Sequence, residues 1–251
     1  MTYVLREAEM PILPPGHEDI RVLHFSDLHL TPARKKEIAD IKSFISLQPD
    51  LVISTGDFLA HKDAVPVVLD ALEALLDIPG LYVFGSNDYY EPVPKNPLKY
   101  LLPNHGKRVH GPELPWQELD SGLQERGWKN LNTSRSTITI NTTVIEARGT
   151  DDAHLEFDDY KLVAGEPGKC DVAIGVTHAP YLRIIKAMAE DNLDAIFAGH
   201  THGGQVRLPW PGGSKALTTN CDLPNWRARG LTVVKGEPLL NVSAGMGTGP
   251  F

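Results

Sequence analysis

The 251-residue sequence is poor in cysteine, with only Cys170 and Cys221. Two thiols are too few for a disulfide framework, and their spacing fits neither a metal-binding knuckle nor a redox pair. We therefore expect a reducing, cytoplasmic environment and assign no function to either thiol.

The sequence also lacks long apolar runs and an excess of positive charge. No stretch approaches the roughly 20 apolar residues of a membrane span, and residues 1–16 do not resemble a signal peptide. The net charge is −8, with 24 Lys and Arg against 32 Asp and Glu. Because nucleic-acid binding usually needs a broad cationic surface, this composition argues against a nucleic-acid partner. Peripheral contact with a membrane stays open.

Short apolar runs alternate with helix-like segments along most of the chain, which is typical of βαβ units. The runs that we predict to be buried strands are residues 21–25, 51–54, 81–84, 172–176 and 195–198. Residues 136–147 instead alternate with period two and are rich in Thr, Ile and Val, which predicts an antiparallel hairpin. The expected fold class is therefore α/β, with two packed mixed β-sheets flanked by helices.

No internal repeat or low-complexity linker divides the chain, so we predict a single domain over residues 1–251. The least regular part is residues 91–115, where six prolines interrupt any long helix or strand. We expect residues 91–116 to form an ordered, cap-like excursion over the surface that faces the substrate. Packing of its leucines onto the domain is an equally good alternative.

Polar side chains of metal-ligand type follow each of the five predicted strands. In chain order they are Asp27 and His29, then Asp57, then Asn87 and Asp88, then His178, and finally His200 and His202. Ligands gather at the ends of strands in an α/β sheet, so we expect these side chains to converge. Carboxylates combined with imidazoles suit Mn, Fe or Zn, and there are enough ligands for two ions.

Each motif also has an ordinary structural explanation when it is taken alone. Asp-x-His after a strand is commonly a turn cap beside a surface histidine, and Gly56-Asp57 is a common turn. Two imidazoles one residue apart in the glycine-rich turn at Gly199 to Gly204 serve no obvious packing purpose, which favours a metal site. The histidines that we expect at the surface or in the core are His17, His24, His61, His105, His110 and His154.

Over about residues 20–247 the motifs resemble those of the calcineurin-like metallophosphoesterase superfamily. That superfamily carries Asp-x-His, Gly-Asp, Gly-Asn-His followed by Asp or Glu, a later His, and Gly-His-x-His. The corresponding residues here are Asp27-Leu28-His29, Gly56-Asp57, Gly85-Ser86-Asn87-Asp88, His178 and Gly199-His200-Thr201-His202. The extension to Gln205 and the Leu-Pro-Pro-Gly lead-in resemble the branch that contains UDP-2,3-diacylglucosamine hydrolases.

The resemblance implies a four-layer αββα sandwich with two divalent metal ions, Mn, Fe or Zn. The ligands that it implies are Asp27, His29 and His202 for one ion, and His178, His200 and an amide of the third motif for the other. Asp57 would bridge the two ions. Such a pair clamps a phosphoryl group and activates water for attack, so no protein nucleophile is required.

The third motif departs from the family pattern. Aligned without a gap, Ser86 replaces the ligand Asn, Asn87 replaces the histidine that protonates the leaving group, and Asp88 keeps the carboxylate that orients it. Shifted by one residue, Asn87 is the ligand and Asp88 takes the place of the histidine, as a candidate catalytic residue. We favour Asn87 as the ligand because an amide oxygen is a better ligand for these cations than a serine hydroxyl.

The resemblance implies a phosphoesterase that hydrolyses phosphodiester or phosphoanhydride bonds, with a small-molecule, lipid-linked or nucleotide-sugar substrate. A non-catalytic metal-binding interaction module is an alternative, because a fold can persist after its chemistry is lost. A nuclease is a further alternative that the acidic charge disfavours. No protein partner can be inferred. Members of this branch usually continue beyond the turn at residues 241–249, so we expect a shortened protein or a missing tail.

Overall fold

The computed structural model of the chain describes residues 3–93, 110–204, 206–210 and 213–247. Most of the predicted cap-like excursion, residues 94–109, therefore lies outside the described residues, as does His105. The described ends of the excursion lie side by side, because the N–H of Glu91 donates to the carbonyl of Pro112 (2.8 Å) and that of Leu114 donates to the carbonyl of Tyr89 (2.9 Å).

The first sheet contains four parallel strands in the order β1-β2-β3-β4. These strands are β1 (Val22–Phe25), β2 (Leu51–Ser54), β3 (Gly80–Tyr82) and β4 (Lys129–Asn130). The helices of this half are α1 (Lys35–Lys42), α2 (Val65–Leu72), α3 (Ser86–Tyr89) and α4 (Trp116–Glu125). Pro66 lies in the first turn of α2, where its missing N–H costs no hydrogen bond.

The second sheet contains six strands in the order β11-β12-β8-β7-β6-β5. Their bounds are β5 (Ser134–Ile140), β6 (Thr143–Gly149), β7 (Val172–Thr177), β8 (Ala195–Ala198), β11 (Gly230–Thr232) and β12 (Leu239–Val242). The predicted hairpin is confirmed as β5 and β6, whereas β6, β7, β8 and β12 run parallel. Helix α5 (Leu182–Glu190) connects β7 to β8.

A separate antiparallel ribbon, β9 (Val206–Trp210) and β10 (Gly213–Thr218), follows the Gly-His-x-His turn. The sequence analysis did not predict this ribbon or the short strands β11 and β12. Among the described residues, no helix is both long enough and apolar enough to cross a bilayer. The cytoplasmic location and the peripheral membrane contact stay predictions.

Three hydrophobic clusters separate four layers of secondary structure. One lies between the two sheets and includes Ile53, Val83, Ile174 and Phe197. A second lies between the first sheet and its helices, and a third lies beneath α5, where Met188 is fully buried. The predicted fold of two packed sheets flanked by helices is thus confirmed, and the first sheet proves to be parallel rather than mixed.

Candidate metal centre

The carboxyl ends of both sheets meet at one edge of the molecule and bring the predicted site residues together. Backbone hydrogen bonds fix these loops to one another. The N–H of Asp27 donates to the carbonyl of Gly56 (2.8 Å), and that of His29 donates to the carbonyl of Asp57 (3.0 Å). In the second sheet, the N–H of Gly199 donates to the carbonyl of His178 (2.9 Å).

Asp27, His29 and His202 form a first group of facing donor atoms. Oδ1 of Asp27 lies 3.4 Å from Nε2 of His202 and 4.0 Å from Nε2 of His29, and the two Nε2 atoms are 3.4 Å apart. Oδ2 of Asp27 accepts hydrogen bonds from the Ser26 hydroxyl (2.5 Å) and the His200 N–H (3.1 Å). Oδ1 is buried and accepts no hydrogen bond from the described residues. A cation between these three atoms would satisfy that oxygen.

Asp57 lies between this group and a second group, which is formed by His178 and His200. Its Oδ2 is 3.7 Å from Nε2 of His29 and 3.5 Å from Nε2 of His178. Nδ1 of His200 is 3.3 Å from the same Nε2 of His178. Asp27, Asp57 and His178 can also offer three ligand atoms within 4.8 Å of one another. The arrangement of carboxylates and imidazoles is suited to divalent ions on both sides of Asp57.

Two backbone carbonyls orient the imidazoles of the second group. Nδ1 of His178 donates to the carbonyl of Thr55 (2.6 Å), which can only accept, so in the neutral imidazole it is Nε2 that has the lone pair. Nε2 of His200 lies 3.3 Å from the carbonyl of Asn220, which leaves Nδ1 facing the site. Such partners fix the tautomer of metal-binding histidines. Neither Thr55 nor Asn220 belongs to a sequence motif, and the sequence analysis missed both.

The third motif places Asn87 directly against Asp57. The backbone N–H of Asn87 donates to Oδ1 of Asp57 (2.8 Å), and its side-chain amide donates to Oδ2 (2.7 Å). Ser86 makes no side-chain hydrogen bond to any residue that the structure describes. The amide of Asn87, rather than the hydroxyl of Ser86, is therefore the group of this motif that contacts the site.

The Asp88 carboxylate is fully buried and accepts four hydrogen bonds, all from backbone N–H groups. Oδ1 binds the N–H groups of Phe58 (2.7 Å) and Leu59 (3.1 Å), while Oδ2 binds those of Asp57 (2.8 Å) and Gly85 (2.9 Å). Asp88 thereby connects the loop that follows β2 to the loop that follows β3, and both loops carry candidate ligands.

Burial and neighbouring carboxylates determine the charge of the candidate imidazole ligands. Burial lowers the pKa of His29 to about 4 and that of His200 well below its usual value, so both are neutral, as metal ligands must be. Burial also acts to lower the pKa of His178, but the charges of Asp57 and then Asp152 outweigh it and raise that pKa to about 9. Metal binding at His178 would have to displace a proton.

Five of the seven candidate ligands have a left-handed backbone conformation. Their φ angles are 56° for Asp27, 44° for His29, 57° for Asp57, 68° for His200 and 50° for His202. Each such residue costs on the order of 1 kcal/mol, and strain of this kind concentrates at functional sites. The pattern supports a ligand role for these five side chains.

A sixth loop reaches the site, and the sequence analysis did not predict it. Residues 150–158 follow β6, and the ring centroid of His154 lies 4.5 Å from that of His200. We expected His154 at the surface or in the core. It is buried, but it contacts the candidate ligand His200. The signal was the group of polar residues Thr150, Asp151, Asp152 and His154, which directly follows β6, a strand that runs parallel to β7.

The other described histidines lie away from this centre. His24 lies between the two sheets, His17 contacts Thr143 at the far end of β6, and His110 packs against Tyr90. His61 is 3.6 Å from the carboxylate of Asp63 at the surface.

Known proteins similar to this chain include several metallophosphoesterases. YkoQ of Bacillus subtilis, described as an uncharacterized metallophosphoesterase, is 30% identical over an aligned length of 204, and the alignment covers 78% of this chain and 66% of YkoQ. The UDP-2,3-diacylglucosamine pyrophosphatase LpxG of Chlamydia trachomatis is 27% identical over an aligned length of 263, and the alignment covers 91% of this chain and 78% of LpxG. The chain spans just under two thirds of YkoQ and of YpbG, a second Bacillus subtilis relative.

Among solved structures, an archaeal phosphodiesterase has a TM-score of 0.44 and 14% identity, over 89% of this chain and 83% of that one. The model of the calcineurin-like phosphoesterase family matches residues 20–204. This match confirms the resemblance of the motifs, and the chain belongs to the calcineurin-like phosphoesterase family.

Proposed function

We propose that this chain is a metal-dependent hydrolase of phosphoric esters or anhydrides and that it holds two divalent ions. One observation carries the proposal: the buried Oδ1 of Asp27, which accepts no hydrogen bond from the described residues, faces the imidazole nitrogens of His29 and His202, and Asp57 lies beside them. A buried carboxylate oxygen that accepts no hydrogen bond needs a cation beside it to compensate for its lost hydration.

The donor atoms divide into two sets that share Asp57. Asp27, His29 and His202 would hold the first ion, and the residues for the second ion would be Asn87, His178 and His200. Oδ2 of Asp57 lies within 3.7 Å of an imidazole nitrogen from each set, which supports a bridging role. Mn, Fe and Zn all suit this mixture of carboxylate, amide and imidazole ligands.

The ions would supply Lewis-acid activation of the phosphoryl group and of the attacking water. The chain's own residues keep the ligands in position. Ser26 and the N–H of His200 hold one oxygen of Asp27 so that the other faces the site. The carbonyls of Thr55 and Asn220 fix the tautomers of His178 and His200.

We assign Asp88 a positioning role in place of the catalytic role considered from the sequence. Each of its two oxygens already accepts two backbone N–H groups, so neither has an open position for a proton directed at a substrate. Asp88 acts through the loops that carry Asp57 and Asn87.

Phosphoanhydrides are the substrate class that we favour. The third motif has no histidine to protonate a leaving group, and a well-placed general acid is typically worth 10²- to 10⁴-fold in rate. A phosphate leaving group needs less help, because its second pKa is about 6. The similarity to LpxG, which is named a UDP-2,3-diacylglucosamine pyrophosphatase, supports a pyrophosphate bond in a nucleotide-sugar or lipid-linked substrate.

Hydrolysis assays on the purified chain with Mn²⁺ test the proposal. We expect turnover of bis(p-nitrophenyl) phosphate and of a UDP-sugar, and slow turnover of a dialkyl phosphodiester. Asp57→Asn should abolish both activities, whereas Asp70→Asn, which removes an exposed surface ion pair with Lys42, should leave them unchanged. Absence of metal-dependent turnover on every phosphoester and anhydride would favour a non-catalytic interaction module.

A further inference from the structure

The loop at residues 150–158 is fixed to both halves of the candidate centre. On one side, Asp151 accepts hydrogen bonds from the Tyr89 hydroxyl (2.7 Å) and the Asn132 amide (3.0 Å). On the other side, Arg183 of α5 donates to the carbonyl of Ala153 (2.9 Å) and to the carboxylate of Asp158 (2.6 Å). The loop is thus held from both sheets.

His154 occupies the part of this loop that faces the second group of ligands. Its backbone N–H donates to Oδ1 of Asp152 (3.0 Å), and its Nδ1 lies 3.1 Å from the Tyr181 hydroxyl. The side chain is only 9% exposed. Its ring is tilted by 46° to the ring of His200 at a centroid distance of 4.5 Å. The two imidazoles are therefore in van der Waals contact.

His154 does not itself join a ligand cluster. Among the described residues, the groups whose ligand atoms lie within 4.8 Å of one another contain Asp27, His29, Asp57, His178 and His202, and neither His154 nor His200. Unlike His200, whose Nδ1 lies 3.3 Å from Nε2 of His178, His154 has its Nδ1 3.1 Å from the hydroxyl of Tyr181. Among the described contacts, the one that joins His154 to a candidate ligand is its ring contact with His200.

The ring of His200 needs support of this kind. Its Nε2 lies 3.3 Å from the carbonyl and 3.4 Å from the side-chain amide nitrogen of Asn220, its Nδ1 lies 3.3 Å from Nε2 of His178, and its backbone is in the strained left-handed region. These polar contacts fix where the two nitrogens lie but leave the ring free to tilt about the line that joins them. A neighbouring ring packed against His200 removes this freedom, because a tilt would bring the two imidazoles too close.

We propose that His154 is a positioning residue that holds the ring of His200 so that Nδ1 faces the second metal position. This inference rests on the proposed function, since it assumes that His200 binds an ion. Loss of His154 should lower the affinity for the second ion only. The affinity for the first ion, whose ligands would be Asp27, His29 and His202, should not change. Groups that orient a metal ligand typically change metal affinity by 10- to 100-fold.

The test is a Mn²⁺ titration of the full chain. Isothermal calorimetry measures the affinities, and electron paramagnetic resonance shows whether the bound ions are coupled. His154→Ala should bind one Mn²⁺ with wild-type affinity and the other about 10- to 100-fold more weakly. The signal of a coupled Mn²⁺ pair should then be replaced by that of an isolated ion. His154→Phe keeps a ring against His200 and should restore most of the affinity. His17→Ala, which removes the contact with Thr143 at the other end of β6, should match the wild type.

The double variant separates positioning from general damage to the fold. Because His154 acts through His200, His154→Ala should add no further loss of affinity to His200→Ala. Equal binding of two ions by wild type and His154→Ala would overturn the inference. An additive loss in the double variant, or loss of both ions in His154→Phe, would also overturn it. A wild-type chain that binds no divalent ion would overturn the proposed function itself.

Discussion

Asp88 illustrates how one buried carboxylate can organise a site without facing its ligand. Burial and the charge of Asp57 raise the pKa of Asp88, while four backbone N–H groups favour its ionised form. A carboxylate in this position resembles the turn caps that hold loops in many proteins. Its substitution should therefore lower the stability of the fold rather than remove a catalytic proton donor.

Asp88→Asn replaces one acceptor oxygen with an amide that donates. One pair of backbone N–H groups then faces a donor, and we expect the free energy of unfolding to fall by about 2–6 kcal/mol, since each buried unsatisfied donor costs about 1–3 kcal/mol. Urea denaturation measures this loss. Asp70→Asn, at an exposed ion pair, should cost less than about 1 kcal/mol.

A different outcome would return Asp88 to the catalytic role. If Asp88→Asn unfolds at the wild-type urea concentration but loses turnover in a pH-dependent way on alkyl phosphoesters, Asp88 is the proton donor.

At the scale of the elements, the turns after the strands are built around glycines that leave room for the ligands. A Cβ atom on Gly85 would lie 2.4 Å from Oδ1 of Asp57 and 2.6 Å from the ring of His178. The loop after β3 can therefore approach both side chains only because position 85 has no side chain.

Gly85→Ala should lower metal affinity by at least about 10-fold, since it displaces Asp57 and His178 together. Calorimetric titration with Mn²⁺ measures the change. Gly236→Ala is the control for the steric effect, because no atom lies within 4 Å of the added Cβ, although its backbone (φ 82°) is left-handed and that of Gly85 (φ −116°) is not. The control should lose about 1 kcal/mol of stability and keep its metal affinity. Equal affinities in Gly85→Ala and the wild type would contradict the described packing.

The sequence predicted those elements whose apolar runs end in polar residues. The strands β2 and β8 begin and end where the sequence predicts, whereas β3 begins one residue earlier and ends two residues earlier than residues 81–84. The short strands β11 and β12 have three and four residues, too few for a periodic pattern.

Parts of the site depend on pairings that no local pattern encodes. The hairpin of β5 and β6 was evident from its period of two, but the sequence does not show that β6 runs parallel to β7. That pairing brings His154 to the edge where His178 and His200 lie. Thr55 and Asn220 likewise act through backbone carbonyls, which every residue possesses, so their identity carried no signal.

At the scale of the whole molecule, the candidate centre spans the boundary between the two sheets. Asp27, His29, Asp57 and Asn87 follow strands of the first sheet, and the three remaining candidate ligands, His178, His200 and His202, follow strands of the second. The distance between the two sets of ligands is therefore determined by the packing of one sheet on the other.

His24 is one of the polar links across that boundary. It lies on β1, its Nδ1 accepts a hydrogen bond from the Asn241 amide of β12 (2.8 Å), and its ring packs edge-on against Phe197 of β8 (5.3 Å). Nε2 lies 3.1 Å from the hydroxyl of Thr55. Protonation would place a hydrogen on Nδ1, where Asn241 already donates.

Burial lowers the pKa of His24 to about 3, compared with about 6.5 in an unfolded chain. Above pH 6.5 both states are neutral and His24 has no effect on stability. As the pH falls from 6.5 towards 3, the unfolded chain binds a proton that the folded chain does not, so stability falls by at most about 1.4 kcal/mol per pH unit.

His24→Gln should remove this contribution. Between pH 7.5 and 5, we expect the wild type to lose up to about 2 kcal/mol more stability than the variant, as measured by urea denaturation at each pH. Parallel pH profiles for the two proteins would show that His24 is not held neutral between the sheets.

The central claim is that Asp57 joins two sets of ligands in one dinuclear centre. Metal analysis by mass spectrometry of the dialysed chain, alone and as Asp57→Asn, tests it most directly. The account predicts two divalent ions per wild-type chain, about one in His29→Ala and in His200→Ala, and none in Asp57→Asn, because a neutral amide cannot balance two cations. Two ions retained in Asp57→Asn, or a single ion in the wild type, would contradict it.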